Sequence, residues 1–240
     1  MSDSSGFVDI NADLGEGFPN DARLLDLVTS ASVCCGAHAG SPETIRATLE
    51  AARARGVPVG AHPGYPDREH FGRAVLEGIV DEKGLILKQL SALRAIAGPL
   101  DIPLRFLKPH GALYNQAQAD DRVARQVVLA ARDEGLAILG QPGGHVERIA
   151  EESGLRFVSE GFPDRRYGPD GRLVPRSRPD AMLTDPEEFE AQVERLAGSG
   201  VQTLCIHGDD PRAVENALRL RAALDRLKIT PRFWGESGRG

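Results

Sequence analysis

Short apolar runs with polar tips alternate with amphipathic stretches along the whole chain. The runs are Phe7–Asp13, Ser32–His38, Val57–His62, Leu104–His110, Leu136–Gly140, Leu155–Glu160 and Val201–His207. Between them lie segments with helical period and clear boundary residues. Ser41 and Pro42 open one helix, with Ile45, Leu49 and Ala52 on a shared face and Gly56 closing it. The segment from Glu82 sets Ile86, Leu90, Leu93 and Ala97 on one side before Gly98. Asp120 and Asp121 precede Val123, Val127 and Ala130, ended by Gly135. Asp185-Pro186 starts a helix with Glu188 at the capping-box position and Phe189, Val193 and Leu196 as its apolar stripe. Asp210-Pro211 begins the last, through Val214, Leu218 and Leu224.

Strands alternating with helices of this length call for parallel pairing through right-handed crossovers. Two-sidedness within the strands decides between an open sheet and a barrel. Val8, Ile10, Ala12 and Leu14 share one face of the first strand, and Asp9, Asn11 and Asp13 the other. Leu204 and Ile206 oppose Thr203, Cys205 and His207 in the last, and Phe106, Lys108 and His110 oppose Leu107 in the fourth. A sheet covered by helices on both sides would be apolar on both. The expectation is therefore an α/β fold, a seven-stranded parallel TIM-like β/α barrel with a polar-lined interior. It reads as a single domain over residues 1–240, with a Gly-, Pro- and Arg-rich loop excursion at about 162–182.

Composition narrows the function classes. The chain has 240 residues, 41% hydrophobic and 27% charged, with a formal net charge of -6. Acidic and basic residues are interspersed, so no basic face for nucleic acid is expected. No apolar run approaches the ~20 residues of a membrane helix, and the opening Met1–Gly6 has no export-signal character. Cys34, Cys35 and Cys205 lack Cys-x-x-Cys spacing and read as reduced core thiols, which favours a cytoplasmic location.

In parallel β/α barrels the site lies at the carboxyl ends of the strands. Those ends carry Asp13, Glu16, His38, His62, Lys108, His110, Glu160 and His207, all candidate catalytic residues. Glycine follows each of the four histidines within two positions, letting backbone turn beside a ligand. His70 and His145 read as peripheral. Two mechanisms fit. Asp13, His38 and His62 could hold a divalent metal that activates water. Alternatively the carboxylates and imidazoles act as acid and base, with Lys108 facing developing negative charge. A cation beside a dication is costly, so Lys108 weighs against the metal and the metal-free arrangement is preferred. Gly143 and Gly144 precede another helical stretch, whose N–H groups could hold a nucleotide phosphate; a plain connection fits equally well.

Seven ordered segments carry a family resemblance. They are Asp9–Gly17, Cys35–Pro42, Val59–Pro66, Phe71–Arg73, Lys108–Asn115, Leu173–Arg176 and Ile206–Asp209. Together they span nearly the whole chain, which resembles the LamB/YcsF family. The resemblance implies a barrel related to glycoside hydrolases and polysaccharide deacetylases. It further implies a hydrolase acting on a cyclic amide: ATP-dependent opening of the 5-oxoproline (pyroglutamate) lactam to L-glutamate, as the A component of a 5-oxoprolinase complex with subunits B and C. On that reading Asp13, His38 or His62 serves as base and His110 or His207 as acid. Lys108 faces the oxyanion or phosphate, and Asn11, Tyr114, Arg165 and Arg176 contact substrate. The chain departs from the family pattern at Ala37, Ser41, Gly144, Pro163 and Asp210, so another lactam or amide is a substrate alternative. A metal-dependent amidohydrolase or deacetylase acting alone, and a non-catalytic component that binds 5-oxoproline, are the competing readings.

Overall fold

The computed structural model describes residues 6–76, 78 and 81–236; the first five residues of the opening segment lie outside them. In chain order the elements are β1 (Phe7–Leu14), α1 (Asp21–Leu25), β2 (Ser30–Cys34), α2 (Pro42–Arg55), β3 (Val59–His62), α3 (Glu82–Ala97), β4 (Leu104–Leu107) and α4 (Gly111–Ala119). There follow α5 (Asp121–Asp133), β5 (Ala137–Gly140), α6 (His145–Glu152), β6 (Phe157–Gly161), α7 (Pro186–Gly198), β7 (Thr203–His207), α8 (Ala213–Arg226) and β8 (Thr230–Pro231). Strands β1 to β7 pair in parallel, each with the next, and β1 pairs with both β7 and β2, so the sheet closes into a seven-stranded barrel. The register sets Asp13 beside both Ser32 and His207, and Cys34 beside His62. Chemistry-bearing residues of adjacent strands thus reach the same rim.

Local chemistry accounts for the helices. At α2 the Ser41 hydroxyl accepts from the Thr44 N–H while Thr44 returns a bond to the Ser41 backbone, a complete capping box with proline in the first turn. Asp81, Asp120 and Asp185 cap α3, α5 and α7. At α7 only half of the expected box forms, because the Glu188 carboxylate is drawn to Arg166 at 2.8 Å. The expected stripe on α8 is also displaced. Helix α8 starts at Ala213 and buries Ala213, Ala217, Leu220 and Leu224, which turns Leu218 outward. Strand β2 ends at Cys34, four residues before His38, so that histidine stands on the loop beyond the strand.

The barrel interior is polar along β1, β2 and β7 and at the site rim, where Glu160 of β6 points inward to Asn11 and Lys108. Asp9, Asn11, Asp13, Ser30, Ser32, Thr203 and Cys205 fill the side formed by β1, β2 and β7, all buried. On the opposite side Phe106, Ala137, Leu139 and Val158 from β4, β5 and β6 cluster with Phe233 and Trp234. These two aromatics follow β8, which adds to β1 at Phe7–Val8. The expectation of a polar interior is thus corrected at Phe106, Ala137, Leu139 and Val158, while Glu160 on β6 meets it: period-two alternation fixes which residues point inward, not what fills the space. Gly60 on β3 faces the Phe106 ring, where a Cβ would come within 2.2 Å of ring carbon. The outer strand faces carry Ile10, Leu107, Ile138 and Ile206 into one continuous core beneath the helices.

Candidate functional site

One rim of the barrel opens into a cavity of about 380 Å³ bordered by Asp13, His62, Lys108, His110, Tyr114 and His207. The segment between β6 and α7 folds over it, pinned by antiparallel bridges Arg165–Met182 and Tyr167–Leu173, and contributes Arg165, Leu173 and Arg176 to the wall. The eight expected acid–base and lysine residues fall into three connected groups.

At the floor, Lys108 reaches Asp13 Oδ1 and Glu160 Oε1 at 2.8 Å each. All three are buried. Burial alone would depress the ammonium, but Asp13, Cys205 and Glu160 outweigh it and hold Lys108 charged well above its ordinary range. Burial likewise works against the Asp13 carboxylate, and His62 and Lys108 overcome it, keeping Asp13 below the usual carboxylate range. Glu160 is pushed up by burial in spite of Lys108. Asn11 stands beneath, donating to Glu160 and Thr203 and accepting from Lys108, and it does not border the cavity. Tyr114 Oη and Glu160 Oε2 are buried without a hydrogen-bond partner among the described residues.

Beside this floor Glu16, His38, His62 and His110 gather, each offering a ligand atom within 4.8 Å of the others, a group able to hold a metal ion. It is not the trio Asp13, His38 and His62 named from sequence: Asp13 turns Oδ1 to Lys108, and Glu16 takes the place beside the histidines. The His38 and His110 rings stack at 3.8 Å, and His62 meets His110 edge-on. Burial lowers all three imidazoles, His38 to about 3 and His62 to about 4, so the rings are neutral at neutral pH. Burial, then the neighbouring Asp13, raises Glu16 well above its ordinary value. Gly72, at φ +66°, lets its loop lie against both stacked rings; a Cβ there would fall 2.8 Å from His38 Cβ and 3.0 Å from His110 Cδ2.

The third group lies across the cavity. His207 Nδ1 is 2.9 Å from the buried Asp164 carboxylate, and its ring stacks on Phe162. Burial opposes the charge on Asp164, yet His207 leads the interactions that keep it below its ordinary range. Next to it Asp209 receives Arg73 at 2.6 Å and Arg176 at 2.9 Å. Arg165, expected to meet substrate, borders the cavity but spends its guanidinium on the carbonyls of Val174 and Ala181. Gly143 and Gly144 lie apart from this cavity, at the start of α6, where the Gly143 N–H donates to the Glu147 carboxylate at 2.6 Å. His70 is exposed and pairs with Asp67, and His145 sits half-buried at the start of α6. Asp164, Arg73 and Asp209 are the members sequence reading did not single out. The last two stand inside motifs already noted, whereas Asp164 carries no spacing signal.

Among the described residues no helix is long and apolar enough to cross a membrane. Residues 8–236 match the family model described as LamB/YcsF family. A protein of Syntrophobacter fumaroxidans named as the A subunit of 5-oxoprolinase is 42% identical over 90% of this chain and 94% of its own length. The Pyrococcus furiosus protein of the same name is 40% identical, over 93% of this chain and 97% of its own length. The crystal structure of a lactam utilization protein from Thermus thermophilus superposes with a TM-score of 0.83 at 40% identity, covering 94% of this chain and 99% of that one. A family 4 carbohydrate esterase of Streptomyces lividans, at 12% identity and a TM-score of 0.56, shares the fold alone. By sequence and barrel together, the chain belongs to the LamB/YcsF family.

Proposed function

We propose that the chain opens the lactam of 5-oxoproline to give L-glutamate, as the A component of an ATP-dependent 5-oxoprolinase working with subunits B and C. The relatives' shared name supports the assignment. The observation that carries it is the buried Lys108 ammonium at the floor of the cavity, with the His207–Asp164 pair on the wall. A five-membered lactam is held closed by amide resonance and recloses easily, so coupling to ATP supplies the missing driving force. In the ring-opening step water adds to the ring carbonyl carbon, the C–N bond breaks, and the departing nitrogen takes a proton. Lys108, fixed by two carboxylates, faces the negative charge that builds on the carbonyl oxygen. Asp13 borders the same floor and draws the proton from water, while His207, oriented by Asp164, returns one to nitrogen. Arg176 and Arg73 offer guanidinium groups to the substrate carboxylate.

The test is ATP-dependent glutamate release by the chain combined with candidate subunits B and C, each omitted in turn. Lys108→Met is expected to lower turnover by about 100-fold or more, and His207→Asn by a similar ~100-fold. Retention of turnover within a factor of about two by both variants would refute the catalytic reading and favour a binding role. Release without ATP or partners would favour an amidohydrolase acting alone.

A further inference from the structure

Beside Lys108, three hydrogen-bond acceptors face one another with no donor among them. His62 Nδ1 lies 2.8 Å from the Lys108 carbonyl oxygen, and His110 Nε2 lies 2.8 Å from the Phe71 carbonyl oxygen. A carbonyl only accepts, so each of these nitrogens carries the ring proton. That leaves His62 Nε2 and His110 Nδ1 as bare lone pairs, and they face each other at 2.9 Å. Glu16 Oε1 is a third acceptor, 3.5 Å from His110 Nδ1 and 3.9 Å from His62 Nε2. All three side chains are buried. Electron pairs so placed repel unless a cation lies between them, and a single proton joins two atoms, not three.

We propose that Glu16 Oε1, His62 Nε2 and His110 Nδ1 bind one divalent transition-metal cation. The backbone carbonyls of Lys108 and Phe71 play the part usual for partners of metal-bound imidazoles: they fix each tautomer and aim its free nitrogen. Two imidazoles and one carboxylate, with no thiolate, suit zinc, cobalt or manganese. His38 is a positioning residue. Its ring stacks on His110 at 3.8 Å, and its Nε2 is engaged with Glu16 Oε1 at 3.2 Å. Its Nδ1 is buried against Gly64 and has no hydrogen-bond partner among the described residues. Lys108 is no obstacle, because Asp13 and Glu160 already neutralise it, and the second Asp13 oxygen turns toward His62 at 3.4 Å. His62 and His110 also border the cavity, so a cation with three protein ligands keeps positions open to water there.

The experiment needs neither substrate, nucleotide nor partner proteins, so its outcome is separate from that of the lactamase assay. The purified full chain is stripped with chelator and titrated with Co²⁺, following visible absorption and bound metal by mass spectrometry. One equivalent per chain is expected, with an absorption band that Zn²⁺ abolishes. Glu16→Gln, close in shape, should weaken Co²⁺ binding by more than the ~10–100-fold typical of changes behind a ligand. His62→Ala/His110→Ala should remove the band, with circular dichroism verifying the fold. Should the double variant fail to fold, Glu16→Gln decides. Uptake below about a tenth of an equivalent by the wild-type chain, or equal binding by wild type and Glu16→Gln, would overturn the proposal.

Discussion

Replacing Asp209 with Asn removes one charge that ties three loops together. Asp209 follows β7, Arg73 lies between β3 and α3, and Arg176 belongs to the segment over the rim; both guanidinium groups converge on the one carboxylate. Burial alone would raise this carboxyl, but Arg176, then His207 and Arg73, carry it from its ordinary value of 3.8 down to about 2. A fall of that size corresponds to about 2 kcal/mol of stability at neutral pH. The side chains of Asp209 and Arg176 are 14% and 18% exposed, so solvent screens little of it; Arg73, at 31%, is screened more. Because the folded-state value is depressed, the contribution is complete above the unfolded value near 3.8 and disappears as pH falls through about 2. For a chain of this length the loss corresponds to a Tm lowered by about 4–8 °C at pH 7. Thermal melts of wild type and Asp209→Asn, followed by circular dichroism at pH 7 and pH 3, measure it. The two proteins should differ clearly at pH 7 and approach each other at pH 3. A difference under about 1 °C at pH 7, or one that stays constant down to pH 3, would refute the reasoning.

Three further outcomes are open to direct measurement. Gly60→Ala places a methyl against the Phe106 ring, and overpacking should cost about 1–3 kcal/mol by denaturant unfolding, relieved in part by a second change, Phe106→Leu. Ser41→Ala removes the acceptor half of the α2 capping box and should cost about 1 kcal/mol in the same assay. Burial pushes the Cys34 thiol up to about 12 and raises Cys35 and Cys205 well above their ordinary values. A thiolate-specific reagent should therefore label none of the three in the folded chain and all three after denaturation; rapid labelling of native protein would contradict that burial.

The barrel was legible because each strand's inward and outward residues differ in polarity, and Asp13, His62, Lys108 and His207 fall where inward positions meet strand ends. Glycine after each site histidine marked the loops that bend over the rim. What remained hidden depends on contacts between loops. Spacing cannot reveal that Asp13 and Glu160 enclose Lys108. Arg165 looked as free to meet a ligand as Arg176, yet its donors go to carbonyls of its own loop. Asp164 stands in an irregular stretch, so no periodicity announces that it supports His207. Strand β8 spans only Thr230–Pro231, and α1 is five residues long, too short for either period to register.

The aromatic pair after β8 has a consequence for how the molecule assembles. Phe233 and Trp234 cover the inner faces of β4, β5 and β6, with Arg156 lying over the indole at 4.4 Å and donating to the Trp234 carbonyl. These residues emerge from the ribosome after all seven barrel strands. Until they arrive, Phe106, Leu139 and Val158 line an unsealed hollow open to water. Sealing of the lower mouth therefore depends on the chain beyond β8, and removal of Phe233 and Trp234 would leave the apolar inner faces of β4, β5 and β6 open to water.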